Sequence, residues 1–373
     1  EFRTRTALPL AIRSVDDETW FVIDQVDTLR PFFMSIVSDA NHWLFISSNG
    51  GLTAGRKNSQ YALFPYATDD KITESAETTG CKTVIRVEVD GRRVLWEPFS
   101  IRCHSQAAIR RNLYKNRFGN KIRFEEIHEE LGLVFSYEWN SSARYGFVRR
   151  ARLENRSASK IGLALIDGLQ NLMPYGVEPS LQTQASNLAD AYKRSECLPD
   201  ARLGIYALSA IIVDKAEPSE ALKANVAWSA GLPDPVVLLS SIQIDAFRDG
   251  FGVRPETDVK GEKGAYLLHA HLDMEPGASE IWHIIADVNQ TQSQVVALSH
   301  AIRADPMLLE RVRTDVAAGT DRLRHLVCAA DGLRLTSDPL QDARHFSNTL
   351  FNIMRGGIFD HHHSIGKADL RAY

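Results

Sequence analysis

The chain has 373 residues, of which 44% are hydrophobic and 24% charged, and its formal net charge is −4. That length and balance suit an ordinary globular protein with a large core and exclude the disordered and low-complexity classes. Acidic and basic residues are interspersed, so there is no electrostatic footprint for nucleic acid or an anionic membrane, and neither is expected as a partner.

No apolar run approaches the roughly 20 residues that span a bilayer, and no lipidation signal is visible. Glu1-Phe2 lacks an initiator Met and a signal-like apolar run, and a helical pattern is still running at Tyr373. The expectation is the front of a larger soluble protein. Cys81, Cys103, Cys197 and Cys328 form neither a CxxC pair nor any other metal-ligand spacing. Reduced thiols in a cytoplasmic protein, and no metal, are expected, with disulfides in an exported protein as the alternative.

From Trp20 to about Asp287 the repeating unit is a short apolar-alternating run closed by Gly, Asn or Asp, which is the pattern of strands. Residues 83–96 give the clearest hairpin, with Asp90-Gly91 supplying the positive φ of a type I′ turn. Residues 121–126 and 133–139 flank the Leu131-Gly132 step as a second hairpin. Residues 146–153 and 161–166 add two strands about Asn155, predicting four neighbouring antiparallel strands in one wide sheet.

One helix is predicted to interrupt the strands, capped by Ser180, with Leu181, Ala185, Leu188 and Tyr192 at helical spacing and a stop at Pro199. Strands resume over 203–213, 221–228, 236–241, 265–272 and 280–288. Twelve or more strands with few helices predict a mainly β fold, a large antiparallel β-sandwich. Past Asn289 the period changes to that of helices over 291–304, 307–328 and 340–354, the last ended by Gly356-Gly357. The expected organisation is a sandwich over 1–289 and an α-helical linker over 290–373, with apolar helix faces that have only the sandwich and one another to bury against.

Residues 47–56 read SSNGGLTAGR, a glycine density that marks tight turns or close backbone approach. The segment has neither the Lys nor the following helix of a phosphate loop, so a strand-to-strand turn is expected. Asp69 and Asp70 follow Tyr61, Phe64 and Tyr66, but neighbours on an extended chain face opposite ways and would not serve one bond. A loop that binds or caps at the sandwich edge is the reading adopted. The His361–His363 triplet lacks a second ligand cluster and reads as a loop, and His269 and His271 share one strand face as packing residues. No GxSxG, HExxH or CxxC motif occurs. Trp96, Tyr137, Trp139, Tyr145 and Tyr175 supply flat faces that suit sugar rings, although most are expected in the core.

Several short stretches stand together in order: the strand at 33–38, the Gly50-Gly51 turn leading to Arg56 and Asn58, VLWEPF at 94–99, FVRRARLEN at 147–155, DGLQNLMPYG at 167–176 and IIADV at 284–288. In these the chain resembles the N-terminal half of glycoside phosphorylases of the cellobiose and chitobiose phosphorylase type, which share a family with domains of cyclic β-glucan synthases. The resemblance implies a galactose-mutarotase-like supersandwich, then a helical linker into an (α/α)6 barrel. It also implies an inverting phosphorolysis of β-linked glucosides by the parent, with inorganic phosphate as co-substrate and no cofactor. The catalytic Asp of such enzymes would lie beyond Tyr373, so no catalytic residue is carried over. The sandwich would shape the acceptor side of the site and a homodimer interface. Arg56, Asn58, Tyr66, Asp69, Asp70 and Lys71 are the residues expected to reach a disaccharide or oligosaccharide. The alternatives are a non-catalytic carbohydrate-binding or assembly module, or a mutarotase-like epimerase with Glu88, Glu126, His269 and His271 converging on one sheet face.

Overall fold

The computed structural model describes residues 10–89, 91–103, 108–210, 222–357 and 366–372. Its larger sheet has eleven antiparallel strands, in spatial order β1 (Leu10–Val15), β2 (Glu18–Ile23), β8 (Ile109–Asn116), β9 (Ile122–His128), β10 (Leu133–Ser142), β11 (Gly146–Asn155), β19 (Ser279–Thr291), β15 (Lys223–Ala230), β14 (Leu203–Leu208), β13 (Lys193–Leu198) and β17 (Asp258–Lys260). A five-stranded sheet packs against it in the order β16 (Val236–Leu238), β18 (Gly264–Met274), β12 (Ile161–Leu172), β6 (Gly80–Val89) and β7 (Arg92–Trp96). A third sheet holds β3 (Phe33–Ile36), β4 (His42–Ser47) and β5 (Leu52–Arg56). The expected mainly β, antiparallel sandwich is the fold.

Period-two alternation decides what the core contains. Phe135, Tyr137 and Trp139 of β10 and Trp282, Ile284 and Ala286 of β19 face Leu163, Leu165, Leu268 and Leu272 of the smaller sheet. Ile36, Leu44, Ile46, Leu52 and Ala54 bring the third sheet into the same core. Burying a side chain of this size contributes about 1.5–3 kcal/mol, so this one cluster dominates the stability. Trp96, Tyr137 and Trp139 are core residues, while Tyr145 and Tyr175 are partly exposed.

Three sequence expectations change. The four neighbouring strands do not share a sheet: β9, β10 and β11 are adjacent, but β12 crosses to the other layer and pairs with β18 and β6. Residues 156–160 make the crossing, and alternation alone cannot report which sheet a strand joins. The single helix over 180–192 is two short ones, α2 (Pro179–Gln184) and α3 (Ser186–Ala191), parted at Ala185, whose φ of −144° leaves the helical region. Pro179 starts α2 one residue before Ser180, the expected cap. Asp69 and Asp70 do not sit on extended chain but open a helix, α1 (Asp69–Glu74), where successive residues diverge by about 100°. The expected strands over 203–213 and 221–228 appear as β14 and β15, residues 211–221 lying outside the described residues.

A short helix, α4 (Ile244–Arg248), lies between β16 and β17; after β19 the chain turns helical, with α5 (Gln292–Ala304), α6 (Leu308–Asp331), α7 (Pro339–Gly356) and α8 (Lys367–Ala372). Thr291 caps α5 in a reciprocal pair with Gln294, an arrangement worth about 1 kcal/mol. Val295, Leu298 and Ile302 of α5 and Leu308 and Val312 of α6 cover Val148, Trp228 and Ile285 on the outer face of the larger sheet. Strands β11, β15 and β19 are thereby buried on both faces, which accounts for the consecutive apolar residues Ile284, Ile285 and Ala286 that open IIADV. Farther along, Leu323 and Val327 of α6 meet Phe346 and Leu350 of α7, with Val37 and Phe118 of the sandwich beside them.

Two histidines make this packing sensitive to pH. His42, edge-on to Phe147 at 5.0 Å, and His283 are both held down at about 3, by burial first and then by nearby arginines. A folded-state pKa below the unfolded value of 6.5 means the unfolded chain binds more protons as pH falls, so their contribution is complete above pH 6.5 and is lost toward pH 3. Each is expected to remove at most about 2 kcal/mol between pH 6.5 and pH 5. Glu126 and Asp287, pushed up by burial, work in the opposite direction over the acidic range. Urea midpoints from pH 7 to pH 5 should therefore fall less steeply in His283→Gln than in the wild type. An identical slope would remove His283 from the account.

Candidate functional site

The third sheet presents an organised row of aromatic side chains on its outer face. Leu44 and Ile46 of β4 are buried in the core at 2% and 0% exposure, which forces Trp43 and Phe45 to the opposite face. Phe33 on β3 stacks on Phe45 with ring centroids 5.6 Å apart and planes 27° apart. Trp43 continues the row, 6.2 Å from Phe45 and again at 27°. Tyr66 closes it edge-on to Trp43 at 5.7 Å. Phe33 and Tyr66 are 43% and 40% exposed, and Trp43 and Phe45 are half-buried.

The row is held in place. Gly55 of β5 pairs with Trp43 across the ladder, and a Cβ there would lie 2.3 Å from the indole Cζ2 and 2.4 Å from the Tyr61 carbonyl oxygen. Only glycine lets the indole lie flat on the strand. Trp43 Nε1 donates to the Asn58 carbonyl at 3.2 Å, fixing the ring along its long axis. Beyond the 57–61 turn, Tyr61 and Tyr175 lie 5.9 Å apart, with Lys57 Nζ 5.8 Å from the Tyr61 ring and Lys223 Nζ 5.2 Å from that of Tyr175. Flat apolar faces thus stand beside hydrogen-bond donors.

The sequence-predicted residues fall around this face in different roles. Arg56 spends Nε on Asn41 at 2.9 Å, Nη1 on both Asp287 oxygens at 3.0 and 3.1 Å, and Nη2 on the Ala143 carbonyl at 2.8 Å. It is a strut tying β5 to the end of β19 and the β10–β11 turn. Asn58 shapes the adjoining turn, its Oδ1 accepting from Gln60 N at 3.1 Å, and carries the carbonyl that holds Trp43. Tyr66 belongs to the row itself. Asp70 and Lys71 are exposed on α1, and neither side chain has a hydrogen bond or ion pair among the described residues. The Asp69 side chain and His361–His363 lie outside the described residues. Trp43, Phe45 and Phe33 escaped the sequence reading, although the spacing Trp43-x-Phe45 carried the signal.

The GGLTAG segment is the β4–β5 turn: Ser47 N donates to the Gly51 carbonyl at 2.7 Å, and Gly51 lies so close to α1 that a Cβ would sit 1.9 Å from the Ile72 carbonyl oxygen. It seats α1, and a strand follows in place of the helix a phosphate loop needs. Nor do the four groups of the epimerase alternative converge. Glu126 is fully buried between the sheets, accepting from Trp96 Nε1 at 2.6 Å, Phe99 N at 2.6 Å and Arg111 Nε at 2.7 Å. His269 points to the far side of the smaller sheet, edge-on to Phe247 at 5.3 Å, while Glu88 and His271 line a cleft there. Among the described residues no group of three or more His, Cys, Asp or Glu side chains is placed to hold a metal ion.

Replacing Arg56 by Ala leaves Asp287 with its burial uncompensated, since the guanidinium is what lowers a carboxyl that burial raises. The expected cost is about 2–3 kcal/mol in urea unfolding. In a double-mutant cycle with Asp287→Ala the two losses should overlap strongly. Strict additivity would show that the pair does not couple.

No protein-family model matches the chain, and no curated protein matches it. Solved structures that it resembles include a bacterial glucoamylase complexed with acarbose, with a TM-score of 0.40, 9% identity, and coverage of 85% of this chain and 40% of that one. Another is described as a kojibiose phosphorylase from the human microbiome, with a TM-score of 0.46, 9% identity and coverage of 91% and 42%. A galactose mutarotase-like protein from Clostridium acetobutylicum gives a TM-score of 0.39, 8% identity and coverage of 76% and 99%. The chain thus spans about two fifths of the glucoamylase and of the phosphorylase. No helix among the described residues is long and apolar enough to cross a membrane.

Proposed function

We propose that this chain is the sandwich and linker of a carbohydrate-active enzyme, and that its own part is to hold a saccharide on the Phe33–Phe45–Trp43–Tyr66 row. The observation that carries the reading is the built character of that row: three near-parallel rings, two of them on alternate residues of one strand, with Gly55 clearing the space for the indole. The C–H faces of a pyranose are apolar while its rim is hydroxylated, so the aromatic row, with Lys57 and Lys223 against the Tyr61–Tyr175 pair beyond the 57–61 turn, offers both halves of the match. The strip extends over several rings, which favours a disaccharide or longer chain over a single sugar.

The finer reading follows the sequence resemblance: an inverting phosphorolysis of β-linked glucosides, with the general acid on an (α/α)6 domain of the same protein and the sandwich contributing the acceptor side and a homodimer contact. Phosphate would attack the anomeric carbon as an Asp protonates the leaving oxygen, so the chemistry asks of the sandwich only positioning. Among the described residues the buried carboxylates Glu97, Glu126, Glu138, Asp167, Asp287 and Asp342 all accept from protein donors, which agrees with a positioning role. The test is phosphate release or uptake with β-linked disaccharides, comparing this chain with the product of the same reading frame extended past Tyr373. Phosphate-dependent turnover by the extended protein alone is expected. Turnover by this chain alone would move the acid into it and send the search to Asp69, Asp70 and Glu88.

A further inference from the structure

A cleft of about 670 Å³ lies on the outer face of the five-stranded sheet, within the range of small-ligand sites. Its floor is the small-residue stretch of the central strand β12, Gly162 and Ala164. Register places Arg86 and His271 on either side of Ala164, and Glu88 and Asp273 on either side of Gly162. Two strand spacings, about 10 Å, separate the β6 wall from the β18 wall. That is the length of a monosaccharide with one substituent.

Arg86 is rigidly mounted on its wall. Its guanidinium lies 4.1 Å from the Phe247 ring centroid, and Nη1 donates to the Phe247 carbonyl at 3.1 Å and the Phe251 carbonyl at 3.2 Å. Among the described residues no carboxylate stands within ion-pair distance of it, and its Nε–Nη2 edge makes no hydrogen bond. A second guanidinium, Arg93, stands near: a Cβ on Gly250 would lie 3.2 Å from Arg93 Nη1 and 3.9 Å from Arg86 Nη1. Gly250, at φ +98°, leaves the space between the two cations open. Among the described residues Arg93 is held only by a 3.5 Å contact to Glu88, in which both side chains are more than 70% exposed. Consistent with an uncompensated cation, burial and then Arg93 lower the pKa of Arg86.

We propose that this cleft binds a uronic-acid-class ligand, a monosaccharide ring carrying one carboxylate. The free Nε–Nη2 edge of Arg86 is the two-pronged donor that a planar carboxylate fits, with Arg93 as the second charge. Across the floor, Asp273 and His271 accept from and donate to the ring hydroxyls. Asp273 already leans over the floor, since a Cβ on Gly162 would lie 3.3 Å from its Oδ1. The two arginines and two acids sum to zero, so a monoanion is accommodated more readily than a dianionic phosphate. This site lies on a different sheet from the aromatic row and stands independently of it.

The experiment is calorimetric titration of the chain with glucuronate, glucose, acetate and glucose 6-phosphate. Glucuronate should bind saturably, with the other three at least tenfold weaker. Arg86→Lys keeps the charge but loses the fork, and Asp273→Asn changes an exposed side chain that the fold does not need. Each should weaken glucuronate at least tenfold, and the thermal melt of Asp273→Asn should stay unchanged. Absence of saturable glucuronate binding, equal binding of acetate or glucose, tighter binding of glucose 6-phosphate, or indifference to both substitutions would each overturn the assignment. Should Arg86→Lys unfold, Asp273→Asn decides alone.

Discussion

Asp167→Ala is expected to cost at least about 5 kcal/mol and to leave little folded protein at 37 °C. Asp167 is fully buried and accepts four bonds: from Arg149 Nη1 at 2.6 Å and Nη2 at 2.8 Å, Thr83 Oγ1 at 2.7 Å, and Trp282 Nε1 at 2.7 Å. Arg149 is equally buried and lies 4.9 Å from the Tyr137 ring centroid. Burial disfavours the charge on that guanidinium, and the Asp167 carboxylate outweighs it, raising the Arg149 pKa. Removing the acid strands a charge and two donors inside the sandwich. Removing both charges together, as Arg149→Met with Asp167→Leu, should recover most of the loss, because a matched apolar pair avoids the desolvation that the ion pair has to offset. Chemical denaturation of the two singles and the double decides it. A double variant as unstable as the sum of the singles would mean that the two residues act separately.

Trp43→Ala is expected to have the largest effect on ligand binding. A pyranose face seated on the indole removes roughly 100 Å² of apolar surface from water over both partners, or about 2.5 kcal/mol, a factor of roughly 70 in Kd. Because Trp43 sits on the outer face, away from the core cluster, the change should cost stability only about 1 kcal/mol. Gly55→Ala is the complementary variant: it keeps every ring but drives a methyl into the place of the indole. It should weaken β-linked gluco-oligosaccharides about as much as Trp43→Ala. Oligosaccharide titrations of both variants that match the wild type would eliminate the aromatic row as a sugar platform.

The sandwich was legible because alternation and turn residues are local signals: Trp43 to Ser47, Leu133 to Trp139 and Ile281 to Val288 each show inward residues at period two. The sheet to which a strand belongs was not legible, as β12 shows, because pairing is decided by partners more than a hundred residues away, Leu268 opposite Asp167 among them. The short stretches that carry the family resemblance prove to be buried ties. Arg149 from FVRRARLEN meets Asp167 from DGLQNLMPYG, Arg56 meets Asp287 from IIADV, and Trp96 from VLWEPF bonds Glu126. Such ties are demanding in geometry, and that makes them recognisable without making them catalytic. The aromatic row was missed for the opposite reason. Trp43 and Phe45 were visible as residues, but their exposure depends on Leu44 and Ile46 facing the core and on Gly55 standing opposite, which only register reveals.

The account stands most directly on where a saccharide sits, so the decisive measurement is a crystal structure of this chain with a β-linked gluco-oligosaccharide such as cellotetraose. Sugar rings stacked on Trp43 and Phe45, with the chain running toward Tyr66 or Phe33, are the predicted result. An oligosaccharide bound elsewhere on the sandwich while the aromatic row stays bare would contradict it.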